Sequence, residues 1–279
     1  MAGSGADISY GLTPKDFKDM AEAGKVQVVG VPVPNAIWYV ALNTALPPFN
    51  DVRLRQAIAW AIPYEKIMQA ALFGRGVPMW GGPSTPAGLS WPQPFPYSTD
   101  MDHARALMKE AGIAPFTTTL LFDAGSATIA EPMSVLVKEA LAPLGITVEL
   151  SKIPGANFRG ELNKKTAPMV INRFGGWLDW PDYFFFWNYH GNNSIFNVSA
   201  YQNKEMDALI DGARFASDPA AYATAVRGFM EMAFRELPAI PICQPLHDVA
   251  MQKSVTGYQF WPCREPDFRQ LAKIGRAHV

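Results

Sequence analysis

Cysteine is scarce: only Cys243 and Cys263 occur in 279 residues. One bridge between them is allowed, a disulfide scaffold is excluded, and the redox compartment stays open. No apolar run reaches the roughly 20 residues that cross a bilayer. Residues 1–17 have neither a basic start nor a hydrophobic centre, so no signal peptide is expected in this chain. Charge of one sign is missing too. Lys and Arg total 24 against 25 Asp and Glu, a formal net charge of −1, and no basic run or stripe breaks the balance. Neither nucleic acid nor an anionic membrane is therefore expected as a partner. His103, His190, His247 and His278 are scattered, and neither cysteine stands at ligand spacing to another, so no metal site is expected. No Gly-rich phosphate loop, G-x-S-x-G elbow or H-E-x-x-H occurs, and no cofactor is expected.

Proline, by contrast, is abundant at 24 residues. It clusters in "VPVP", "PMWGGPSTPAG" and "WPQPFP", which predicts long ordered loops of the kind that often carry function. Residues 1–34 read as a polar lead followed by a strand-like piece, "KVQVVGVPVP". "AIWYVALNT" (36–44) alternates and predicts a strand. Asn50 or Asp51 then caps a helix through "VRLRQAIAWAI", whose Arg53 and Arg55 read as a solvated face. A second helix restarts at Pro63, and residues 74–97 read as loop. The helix "DHARALMKEAG" stops at Gly112.

Next come strand 117–123, helix 131–144, strand 146–150, helix 157–165 and strand 167–174. This β-α-β-α-β run predicts parallel neighbouring strands through right-handed crossovers. Two helices follow, "NKEMDALIDGARFA" and "DPAAYATAVRGFMEMAFREL". Two strands, "AIPICQP" and "DVAMQKSVTGYQF", close the chain.

Ligands in open α/β sheets sit beyond the carboxyl ends of such strands. Strand 167–174 leads straight into "GGWLDWPDYFFFWNYHG" (175–191), which crowds eight aromatic rings around two carboxylates. A core segment with an edge loop would explain many of these rings. Yet Gly175 and Gly176 permit unusual turns, and Trp177 and Trp180 flank Asp179 in a way no core period requires. An acid in an aromatic wall needs a partner, because desolvating it unpaired costs several kcal/mol. A ligand ammonium group would supply one. Asp179 and Asp182 could instead form an acid/base pair, as in a glycoside hydrolase.

The ordered set of motifs resembles the extracytoplasmic solute-binding proteins of peptide ABC importers, the dipeptide/oligopeptide/nickel group (family 5). "WYVALNTALPPFNDVRLRQAIAWAI" resembles the family's hinge strand and the helix after it. "MDHARALMKEAG" resembles the helix after its Pro-rich loop, and "GWLDWPDYFFF" its cleft motif. "LPAIPICQPLHDVAMQKSVTGY" resembles the strand returning to the first lobe, and "DFRQL" the C-terminal end. The cleft motif is one residue shorter between Trp177 and the acid, and Tyr183 replaces its usual last proline.

The resemblance implies an α/β, periplasmic-binding-protein-like (type II) lobe with a mixed sheet, flanking helices and an incomplete first lobe. Residues 1–35 would be a remnant of that first lobe, 36–240 the ligand-binding second lobe, and 241–273 its return strands. "IGRAHV" (274–279) reads as a non-native tail. The implied function is a monomeric, non-enzymatic receptor, extracytoplasmic or periplasmic in a full-length parent about twice this length. It would capture short peptides in an inter-lobe cleft and deliver them to an ABC permease. Asp179 would hold the peptide amine, with Asp182 as substitute, and Trp177 and Trp180 would wall the pocket. The alternatives are a hydrolase using Asp179 and Asp182, a nickel, sugar or opine receptor of the same fold, and a structural domain without a ligand.

Overall fold

A computed structural model describes residues 5–175, 178, 180–193, 195–261 and 267–273. The chain opens with strand β1 (Ile8–Ser9) and helix α1 (Pro14–Ala23), followed by strands β2 (Gln27–Pro32) and β3 (Ala36–Leu42). Helix α1 falls where the sequence reads as a polar lead. Its start is a capping box: Thr13 Oγ1 accepts from the Asp16 amide at 3.2 Å, and Asp16 Oδ2 accepts from the Thr13 amide at 3.1 Å. Gly24 closes it in the left-handed region at φ 61.

Helices α2 (Val52–Ala61) and α3 (Tyr64–Leu72) then follow. Asp51, rather than Asn50, caps α2 by accepting from the Arg53 amide at 2.8 Å. The proline-rich stretch 74–97 is not wholly loop, since it contains strand β4 (Gly76–Pro78) and one 3-10 turn at Met79–Gly81. Helix α4 (Met101–Ala111) ends at Gly112, as expected from the sequence.

The central run is β5 (Phe116–Asp123), α5 (Ala127–Leu141), β6 (Ile146–Ile153), α6 (Gly155–Asn163) and β7 (Met169–Gly175). Strand β5 pairs parallel with both β6 and β7, as the β-α-β-α-β pattern predicts. Helices α7 (Pro181–Tyr189), α8 (Lys204–Arg214) and α9 (Pro219–Glu236) lead to β8 (Ala239–Met251). The two expected C-terminal strands are therefore largely one long strand. Short β9 (Val255–Thr256) and β10 (Ala272–Lys273) pair with each other. No helix among the described residues is long and apolar enough to cross a membrane.

The sheet order is β1-β8-β3-β7-β5-β6, with β2 and β4 also on β8. Strand β3 is buried along all seven residues because it lies between β7 and β8, antiparallel to both. The alternation read from the sequence is therefore not an alternation in burial, because both faces of β3 are covered. Its core includes Ile37, Leu54, Ile58, Leu120, Val137, Val170, Phe185 and Phe229. Strand β8 leaves that core after Cys243, and its second half carries β2 across Leu246–Met251. There a separate small apolar cluster forms from Val249, Met251 and Val255, with Ile8 and Val29 against it.

Arg55 corrects the reading of a solvated α2 face. It is 3% exposed, donating to the Phe49 carbonyl at 2.8 Å and to the Glu236 carbonyl at 2.6 Å. Burial draws its pKa down, with Glu236 opposing that shift. Arg53 does stay partly in solvent, folded back onto Asp51. Cys243 is a buried free thiol, which burial pushes to a higher pKa. Cys263 and residues 274–279 lie outside the described residues.

Candidate functional site

Strands β5, β6 and β7 all point their carboxyl ends to one rim, and β3 enters from that rim because it runs antiparallel to β7, Ala36 opposite Gly175. A cleft of about 610 Å³ opens there, with Tyr39, Asp123, Arg159, Asn172, Arg173 and Tyr183 in its wall. A second recess of about 490 Å³ adjoins it, sharing Trp38, Arg173, Phe174 and Gly175, and reaches Tyr10, Arg75 and Asp248 on the far side. Together they span the place where the chain passes between its two apolar clusters.

Polar contacts lock that passage. Gln244, 5% exposed, donates to the Val33 carbonyl at 3.0 Å and accepts from the Trp80 amide at 3.0 Å. The Trp80 indole donates to the Pro34 carbonyl at 3.0 Å. Asn35 then ties the passage to the motif loop, donating to the Leu178 and Trp180 carbonyls at 2.7 and 3.1 Å. On the cleft floor, Asn172 donates to the Tyr39 hydroxyl at 3.0 Å and Tyr39 donates to Asn188 Oδ1 at 3.1 Å. Burial pushes the Tyr39 phenol up, against the Asn172 hydrogen bond, so Tyr39 stays a donor.

Of the four residues singled out from the motif, Trp177 and Asp179 lie outside the described residues. Trp180 and Asp182 are brought together, but in a smaller recess of about 230 Å³ beside Phe186 and Arg214, and neither lines the two larger ones. Asp182 sits in the first turn of α7, not in a loop, where a carboxylate suits the helix N-terminus. It accepts from the Tyr222 hydroxyl at 3.1 Å. Burial first, and the nearby Asp182 charge second, push the Tyr222 phenol up and keep it protonated. Trp180 is 59% exposed and meets the Tyr222 ring edge-on at 6.2 Å.

The aromatic crowd divides. Phe184, Phe185 and Tyr189 are core, with the Phe185 ring tilted against Phe229 at a centroid distance of 4.5 Å. Tyr183 and Trp187 face the cleft. The core reading thus holds for one side of the helix, while another side lines the cleft.

Sequence reading missed Asp123, Arg159 and Arg173 as cleft residues. The signal was available for two of them: Asp123 ends β5 and Arg173 stands two residues from the end of β7, where the parallel-strand rule puts ligands. Among the described residues, no group of three His, Cys, Asp or Glu side chains could hold a metal.

Residues 2–196 match the middle region of the bacterial extracellular solute-binding proteins, family 5. The probable D,D-dipeptide-binding periplasmic protein DdpA of Escherichia coli (strain K12) is 27% identical over 270 residues, covering 94% of this chain and 51% of DdpA. HbpA2 from Haemophilus parasuis superposes with a TM-score of 0.82 at 20% identity, covering 98% of this chain and 55% of that one. The dipeptide binding protein from Pseudoalteromonas sp. SM9913, in complex with Met-Leu, gives a TM-score of 0.79 at 22% identity, covering 97% and 54%. The chain thus spans about half the length of the curated relatives it matches. Its mixed sheet with flanking helices is the fold of periplasmic binding proteins. By the extent of the family match, the chain belongs to the bacterial extracellular solute-binding proteins, family 5.

Proposed function

We propose that this chain is the ligand-binding part of the substrate-binding component of an ABC importer. It captures short peptides and presents them to a membrane permease, and the full-length parent works outside the cytoplasm. The observation that carries the reading is the cleft at the carboxyl ends of β5 and β7, opening where the chain passes between two apolar clusters. Residues 36–240 form the second lobe; 1–35 and 241–273 belong to the first, and β3 and β8 act as the hinge on which the lobes close. Asp179 holds the ligand amine, and Trp177 walls the pocket. Asp182, engaged by Tyr222, serves the fold instead.

The receptor is a monomer, returns its ligand chemically unchanged, and has no affinity for nucleic acid, in keeping with a net charge of −1. A hydrolase built on Asp179 and Asp182 is not favoured, since the second of that pair is already bonded within the fold.

Thermal unfolding of the full-length parent by circular dichroism, with and without a pool of di- to pentapeptides, tests the reading. A cooperative transition raised by peptide is expected, with mass spectrometry recovering every peptide intact. Cleaved peptide, or a transition indifferent to the pool, overturns it.

A further inference from the structure

Among the described residues, two arginines in the main cleft have no carboxylate to answer them. Arg159, on α6, and Arg173, on β7, both line the 610 Å³ space, and both are exposed. Among the described residues neither takes part in an ion pair. The Arg159 guanidinium lies over the Phe196 ring, 4.8 Å from its centroid, which holds it at the wall without neutralising it. Arg173 stands where the two larger recesses meet, so its charge reaches both.

The described wall offers one acid, Asp123, and its Oδ1 is turned back onto the Gly125 amide at 2.8 Å. Helix α6 also begins at this rim, at Gly155, with no side chain capping its free amides. Cation therefore outweighs anion on the described wall of this open cleft. Such a site favours anionic groups.

We infer that the cleft selects peptides carrying an acidic side chain, with Arg159 and Arg173 as the residues that set this preference. The inference rests on the peptide-receptor reading above and names its substrate class. A guanidinium accepts a carboxylate in two parallel hydrogen bonds, which an amide of the same shape cannot reproduce.

The test is an NMR titration of the purified chain with Gly-Glu, Gly-Gln and Gly-Lys. Gly-Gln keeps the terminal carboxylate, so its comparison with Gly-Glu isolates the side chain. Gly-Glu is expected to bind about tenfold or more tightly than Gly-Gln. Arg159→Gln and Arg173→Gln should each shrink that advantage, and Arg173→Glu should turn the preference toward Gly-Lys. Both positions are exposed, and unchanged melting curves would verify that the variants fold. Equal affinity for Gly-Glu and Gly-Gln, or an advantage that survives both glutamine variants, overturns the acidic preference and leaves peptide capture standing. Resonances that respond to none of the three peptides overturn both.

Discussion

Arg75 and Asp248 form a two-bond ion pair directly over Gly30, joining the approach to β4, the second half of β8 and β2 in one contact. Arg75 Nε lies 3.2 Å from Asp248 Oδ2, and Arg75 Nη2 bonds Oδ1. Asp248 is 7% exposed, and burial raises its pKa even with Arg75 beside it. The pair thus fixes geometry more than it adds stability. Removing one partner is a different matter. Arg75→Gln should cost about 3 kcal/mol in urea unfolding by stranding the carboxylate, whereas the double change Arg75→Met, Asp248→Leu should cost far less.

Gly30 gives the same contact a second test. A Cβ there would stand 2.5 Å from Asp248 Oδ1 and 2.6 Å from Arg75 Nη2. Gly30→Ala should therefore destabilise by about 1–3 kcal/mol, as overpacking does. Equal denaturation midpoints for variant and parent would mean that the pair relaxes freely.

Asp179 and Asp182 should separate by what they change. Asp179→Asn is expected to weaken peptide binding by about 1.5–3 kcal/mol in calorimetry on the full-length parent, the worth of a charged hydrogen bond. Asp182→Asn should leave peptide affinity alone and cost stability of about 0.5–1.5 kcal/mol, with Tyr222→Phe giving a similar loss. The reverse pattern would move the amine site to Asp182.

Arg55 and Arg53 should differ as sharply. Arg55→Met strips two buried carbonyls of their donor, and a loss of about 2–4 kcal/mol is expected. Arg53→Gln touches a half-exposed pair and should cost under about 1 kcal/mol. Chemical denaturation of the two variants side by side decides it.

Asp51 predicts an acid limb in stability. Its hydrogen bonds from the Arg53 side chain, and then from the Arg53 amide, hold its carboxyl below the usual carboxylate range. A group depressed in the fold contributes stability above its unfolded pKa and loses that contribution as pH falls through its folded value. Asp51→Asn keeps a capping oxygen but cannot titrate, so its stability should fall less steeply on acidification. Asp51→Ala should lose about 1 kcal/mol at neutral pH.

Most of the fold follows from local pattern: the β3 strand, the cap at Asp51, the Gly112 stop, and the β-α-β-α-β order with its parallel pairing. These depend on spacing along the chain. The family resemblance also needed only the order of its motifs. Helix α1 was legible in Thr13, Pro14, Asp16 and Gly24, although its polar composition obscured it.

Tertiary structure alone decided what each polar group faces. Arg55 is buried because α9 ends beside α2, a meeting of residues far apart in sequence that no α2 pattern encodes. Asp182 is engaged because Tyr222 reaches it from the start of α9. The aromatic stretch splits into core and cleft because one side of α7 packs on Phe229 and another looks onto the rim. Asp123, Arg159 and Arg173 become one wall only when parallel pairing brings the ends of β5 and β7 and the start of α6 together. Hydrophobic spacing is a local code, whereas charge environment depends on every element that packs nearby.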